Sequence, residues 1–160
     1  MTERIRRSYD VPMSPGAFFA ALSSRAVVER RSDADGVGTR VVQHEADADR
    51  IRITIATEVP LEWLPGAVAA RMGTAPTVTR TEEWTLGGDS AHTPLSFDFS
   101  GMPVSCSGDA DLAPQGDTSR LDVDLLLRIE VPIFGALVER ALSPRIVAAL
   151  GAEAQFYRTL

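Results

Sequence analysis

Arg80, Glu82 and Trp84 occupy alternate positions of the stretch Thr77 to Leu86, so in an extended chain they share one face with Val78 and Leu86. A guanidinium and a carboxylate at that spacing can pair, hold a polar ligand head, or act as acid and base if the face looks into an apolar chamber. Burying either charge is costly unless it is paired, so an inward Arg80 needs Glu82 or a ligand carboxylate beside it. Charged side chains are seldom interior, and the preferred reading places Arg80 and Glu82 on the solvated face, with Thr79, Thr81 and Glu83 inside or near an edge.

The other reactive residue types form no constellation. Cys106 falls on the apolar side of its own alternating stretch, where a thiol stays protonated and packs like a small hydrophobe. His44 and His92 have no spacing that would make a triad or a metal box, and surface positions suit them better. No Gly-x-Ser-x-Gly elbow occurs, and Gly36-Val-Gly38 precedes a strand rather than opening a helix as a dinucleotide fingerprint would. Asp109, Asp111, Asp122 and Asp124 belong to what should be two adjacent strands and read as a solvated acidic face. No catalytic residue, metal or cofactor is expected.

The elements that must position these residues follow from periodicity. Arg4 to Val11 reads as a strand ending at Pro12. Ser14 can cap a helix that begins at Pro15 and presents Phe18, Phe19 and Leu22, and Arg25 to Arg31 forms a second short helix after Ser23-Ser24. Asp33 to Gly38 is turn-rich and leads into a hairpin of Thr39 to Ala46 and Arg50 to Val59, whose second arm alternates through Ile51, Ile53 and Ile55. Pro60 to Gly73 is an apolar insert carrying Leu61, Trp63, Leu64 and Met72, which either plugs the core or closes a cavity as a lid; the plug is preferred. Beyond Thr77 to Leu86, residues 87–94 read as a flexible connector. Strands follow through Leu95, Phe97 and Phe99, through Met102 to Leu112 with Val104 and Cys106 inward, and from Leu121 to Val131. From Pro132 the period becomes helical, and Pro144 predicts a kink near residues 140–143.

Composition narrows the class. The chain of 160 residues is 44% hydrophobic and 24% charged, which suits a single globular domain over residues 1–160. The longest apolar run, Ala17 to Leu22, is far short of the roughly 20 residues that span a bilayer, so no membrane span is expected. The N-terminus contains no secretory signal pattern, which makes the cytoplasm the expected location. All basic residues are arginines scattered along the chain, and with a net charge of −6 nucleic acid is not an expected partner.

Strands joined through short turns make an antiparallel sheet whose apolar face needs a cover, and the C-terminal helix is that cover. About seven strands at ~4.8 Å spacing make a sheet far wider than one helix of ~10 to 12 Å, so the sheet must curl around the helix. The remaining space is either packed or kept as a cavity. This α+β order, with the helical elbow at 14–31 and the long helix at 133–158, resembles the helix-grip fold of the START-like (SRPBCC) superfamily, whose members hold apolar ligands between sheet and helix. Leu61 to Gly66, Arg80-Thr-Glu-Glu-Trp84, Gly101-Met-Pro-Val-Ser105 with Gly108, and Val131-Pro-Ile-Phe-Gly135 with Glu139 resemble an actinobacterial family of unknown function within it, DUF2505. The resemblance implies a fold and a hydrophobic small molecule or lipid as partner, and it carries no catalytic residues.

On that reading the cavity wall comprises Trp63 and Met72 from the insert, Arg80, Glu82 and Trp84, and Phe97, Phe99, Val104 and Cys106 from the following strands. The helix contributes Phe134, Leu137, Val138, Ala141 and Leu142. A non-catalytic binding module is the first expectation. A protein-partner module with a filled interior is the second, and a cyclase or dehydratase using Arg80, Glu82 or a cavity water is the third.

Overall fold

A computed structural model describes residues 1–34 and 38–160, so part of the turn expected over residues 33–38 lies outside the described residues. The chain opens with strand β1 (Thr2–Val11) and enters helix α1 (Pro15–Leu22) through Ser14, whose hydroxyl accepts the Ala17 amide at 3.2 Å as its residue type predicts. Helix α2 (Arg25–Ser32) completes the elbow. Strands β2 (Thr39–Ala46) and β3 (Arg50–Glu58) form the hairpin, and the insert folds as a single 3-10 turn (Leu61–Trp63) followed by helix α3 (Gly66–Met72). Strands β4 (Thr77–Gly87), β5 (Ser90–Phe99), β6 (Val104–Gln115) and β7 (Thr118–Ile129) then meander into helix α4 (Gly135–Tyr157).

The described strands form one antiparallel sheet ordered β1-β7-β6-β5-β4-β3-β2, curved around α4, which is the helix-grip architecture expected. One face is apolar. Ile51 and Ile53 on β3, Leu112 on β6 and Leu125 and Leu127 on β7 are buried beneath the helices, and α4 meets them with Val138, Leu142, Ile146 and Leu150. The opposite face is charged: Arg4 and Arg6 reach Asp124 at 2.6 and 3.5 Å, and His92 lies 2.7 Å from Asp111 and 3.3 Å from Asp109. The aspartates therefore form the solvated acidic ladder expected of them, interleaved with arginines and a histidine. Among the described residues no helix is long and apolar enough to cross a membrane.

The segment before Leu95 differs from expectation. Residues 87–94 are not a flexible connector: Gly88 turns the chain at φ 62° and β5 is already paired from Ser90. Polar composition and Pro94 hide this strand, yet Thr93 is fully buried and its hydroxyl accepts the Glu83 amide at 2.7 Å. Pro144 lies within α4, which continues through it as one helix from Gly135 to Tyr157.

The motif glycine Gly108 has a steric reason. A Cβ built there would lie 1.9 Å from the Asp124 carbonyl oxygen on β7, so only glycine lets β6 approach that closely. Gly108→Ala is expected to destabilise the fold by about 1 to 3 kcal/mol, the usual cost of forced overpacking. A urea midpoint unchanged from that of the parent chain would show that the strands part freely.

Candidate functional site

The inward face of β4 carries charge. Arg80 is 7% exposed and Glu82 is 1% exposed, which corrects the preferred placement of both on the solvated side. The period-two reading of Val78, Arg80, Glu82, Trp84 and Leu86 holds; what composition could not supply was their partners. Those partners are Arg31 on α2 and Glu153 on α4, neither of which the spacing of reactive residues singles out. A signal for Arg31 does exist, since Val28, Arg31 and Ser32 follow the i, i+3, i+4 spacing of a buried stripe and are all buried. Glu153 lies on the inward side of α4, one turn beyond Ala149.

The four side chains balance one another. Arg31 donates from Nη2 to Glu82 Oε2 at 2.5 Å and from Nη1 to Glu82 Oε1 at 3.0 Å, and its Nη1 also lies 3.4 Å from the Tyr157 hydroxyl. Arg80 grips Glu153 with both terminal nitrogens, Nη2 reaching Oε2 at 3.1 Å and Nη1 reaching Oε1, while its Nε lies 3.3 Å from Glu82 Oε2. Trp84 donates from its indole nitrogen to Glu82 Oε1 at 3.0 Å. Phe18 packs edge-on against both Trp84 and Tyr157, at 5.2 and 4.9 Å between ring centroids, and seals this network on the α1 side. Two cations facing two anions satisfy the requirement that interior charge be paired.

These surroundings fix the charge states. Burial alone pushes the Glu82 carboxyl up, but Arg31, Arg80 and the hydrogen bonds from Arg31 and Trp84 outweigh it and hold the group at about 2. Burial likewise pulls Arg31 and Arg80 down, and their carboxylate partners return both above the usual guanidinium range. The Tyr157 hydroxyl is pushed up to about 12 by burial, against the opposing charge of Arg31. Cys106, in the core, is likewise raised by burial to about 12 and stays a thiol, as expected for a packing residue.

A stability profile follows. Because the folded Glu82 carboxyl titrates below its ordinary 4.5, the unfolded chain binds more protons between the two values. The resulting stabilisation, about 3 kcal/mol, is full above pH 4.5 and is lost as pH falls through about 2. Urea midpoints should therefore drop steeply between pH 4.5 and about 2, and Glu82→Gln should flatten that slope. A slope of equal steepness in the variant would assign the acid sensitivity to other carboxylates.

Above the charge cluster, between α4 and strands β3 to β5, lies a chamber of about 330 Å³. Ile55, Phe97, Phe99, Leu142 and Ile146 make its apolar wall, and Arg80 and Glu153 form its polar floor with Arg31 behind them. Ala148, Ala149 and Ala152 leave space along the helix where larger residues would fill it. At the rim, Trp63 of the insert stacks under the Arg145 guanidinium, 4.0 Å from carbon to ring centroid, so insert and α4 meet there.

Of the residues expected in the wall, Trp63, Arg80, Phe97, Phe99 and Leu142 border this chamber. Glu82 lies just behind it, bonded to Arg31. Trp84 borders a small void of about 20 Å³ on the far side of Arg80 and Glu153. Met72 and Phe134 border a separate groove of about 330 Å³ between α3 and the start of α4, with Val68 and Met102. Val104, Cys106 and Val138 are closed into the core, outside the chamber's lining. Ala141 is half-buried and also outside that lining. Leu137 was expected to face the sheet and is instead 44% exposed, because the buried stripe of α4 runs through Val138, Leu142 and Ile146 one position away. His44 is half-buried, not free on the surface, and donates from Nε2 to the Leu22 carbonyl at 2.8 Å. Among the described residues no group of three or more His, Cys, Asp or Glu is placed to hold a metal ion.

Comparison with solved structures shows the fold again. The protein TTHA0849 from Thermus thermophilus is 16% identical with a TM-score of 0.60, covering 98% of both chains. The ZhuI aromatase/cyclase from Streptomyces sp. R1128 is 11% identical with a TM-score of 0.61, over 99% of this chain and 94% of that one. A START superfamily protein from Mycobacterium smegmatis is 13% identical with a TM-score of 0.51, over 98% and 99%. At these identities the likeness is one of fold, and no curated protein matches the sequence. The model of one family, described as a protein of unknown function (DUF2505), matches residues 6–160, and the chain belongs to that family.

Proposed function

We propose that the protein binds a hydrophobic small molecule or lipid in the chamber between its sheet and α4 and performs no chemistry on it. The observation that carries this reading is the chamber itself: about 330 Å³ of free space walled by Ile55, Phe97, Phe99, Leu142 and Ile146, with Arg80 and Glu153 at its floor, Arg145 at its rim and the hydroxyl residues Ser32, Thr39 and Thr57 also in the lining. Ligand sites are typically concave, mostly apolar and of about 300 to 1,000 Å³, with a few placed polar groups that orient the guest.

The charge cluster speaks against catalysis. A general acid or base working near neutral pH needs a carboxyl shifted upward, and Glu82 is shifted down to about 2, out of reach behind Arg31. Arg80 and Glu153 engage each other with both ends of the guanidinium fork. Both observations support binding without catalysis, although the fold is shared with an aromatase/cyclase. A module that only presents its surface to a protein partner would be served by a filled interior, and the free volume beneath α4 favours a guest instead.

Native mass spectrometry of the protein purified from its own host, followed by organic extraction, is expected to show a stoichiometric apolar molecule that is released on denaturation. Spectra that stay empty across growth conditions, together with no uptake of added amphiphiles, would overturn the reading.

A further inference from the structure

The floor of the chamber has a chemical preference, and it rests on the chamber being a ligand site. Charged groups approach the cavity from three elements: Arg31 on α2, Arg80 on β4, and Glu153 and Arg145 on α4, with Glu82 directly behind Arg31 and Arg80. Arg145 is an exposed rim group stacked on Trp63. The remaining four cancel: Arg31 is engaged by Glu82, and Arg80 is engaged by Glu153. The side chains of Arg31 and Glu82 are 0% and 1% exposed, so a guest meets only the edges of Arg80 and Glu153, at 9% and 12%.

A carboxylate entering this floor would lose its water without finding an unengaged cation, and an ammonium would find no unengaged anion. Either must break an existing ion pair or remain uncompensated. An uncharged group with both a donor and an acceptor meets the opposite situation. The Arg80 terminal nitrogens each retain an N–H beyond the one given to Glu153, and the Glu153 oxygens retain lone pairs, so both halves of the pair can bond one neutral guest without disturbing each other. We infer that the inner end of the chamber selects an apolar molecule tipped with an uncharged hydrogen-bonding group, such as a hydroxyl, amide or ketone-and-hydroxyl terminus, and rejects carboxylate and ammonium tips.

The test compares dodecan-1-ol, dodecanoate and dodecylammonium, each below its aggregation concentration and near neutral pH, by titration calorimetry against the parent chain and against Arg145→Gln. The second protein removes the rim cation, which could otherwise hold a carboxylate outside the floor. In Arg145→Gln the alcohol should bind at least roughly tenfold more tightly than either ion. Glu153→Gln frees Arg80 and should turn the preference toward dodecanoate; Arg80→Gln frees Glu153 and should turn it toward dodecylammonium, so either variant alone suffices if the other fails to fold. Dodecanoate binding to Arg145→Gln as tightly as the alcohol overturns the inference while leaving the chamber a ligand site. No binding of any of the three to the parent chain overturns both.

Discussion

Arg31→Met should lower the unfolding free energy by about 3 to 5 kcal/mol, the cost of stranding one member of a buried ion pair. The stranded group in this variant is the carboxylate. Glu82 is 1% exposed and would keep only Arg80 and the Trp84 indole to compensate its charge. For a chain of this size the loss corresponds to a fall in Tm of roughly 10 °C. The double variant Arg31→Met/Glu82→Leu removes both charges and leaves Arg80 paired with Glu153, so it should recover most of the deficit and reveal a large coupling in a double-mutant cycle. If Arg31→Met unfolds within about 1 kcal/mol of the parent, the pair is hydrated in solution and the description of a dry charge cluster fails.

Ala152→Trp should abolish uptake of apolar guests, lowering affinity by about 100-fold or more, roughly 3 kcal/mol, while leaving the protein folded. Ala152 borders the chamber from α4, and an indole there would occupy the space the guest needs. Leu142→Trp tests the same wall from one side of the helix. Val138→Trp is the contrast: Val138 is 0% exposed and lies outside the chamber's lining, so a larger ring has nowhere to go and should cost about 1 to 3 kcal/mol in stability. Calorimetric titration with dodecan-1-ol and urea unfolding of the three variants separate filled core from free volume. Full uptake by Ala152→Trp would place the binding site elsewhere, and equal destabilisation by Ala152→Trp and Val138→Trp would mean that no free volume exists beneath the helix.

The groove between α3 and α4 is distinct from this chamber. Arg71 stacks over Phe134 there, 5.4 Å from the ring centroid, so the groove is bordered by the insert and the first turn of the helix. Trp63 and Met72, grouped in the sequence as one lid or plug, serve different places: Trp63 caps the chamber rim beneath Arg145, and Met72 borders the second groove.

The residues that alternate cleanly determined their own fate. Ile51, Ile53 and Ile55 on β3, and Leu121 through Ile129 on β7, each show one buried face because side-chain direction in a strand has a period of two whatever the neighbours are. Ser14 and Pro15 fixed a helix start for an equally local reason. The antiparallel sheet curled over a C-terminal helix was therefore legible, as was the packing role of Cys106. Periodicity also put Arg80, Glu82 and Trp84 on one face, but not which way that face looked. Direction depended on whether counter-charges would be waiting, and Arg31 and Glu153 stand 49 and 73 positions from Arg80 in the chain, brought to it only when α2 and α4 close over the sheet. The chamber was undetermined for a related reason: Ala149 and Ala152 are ordinary helix residues and become walls of an empty space only where the sheet curves away from them. Sequence spacing sets the local direction of a side chain; free volume and charge compensation are sums over distant neighbours, and tertiary packing alone decides them.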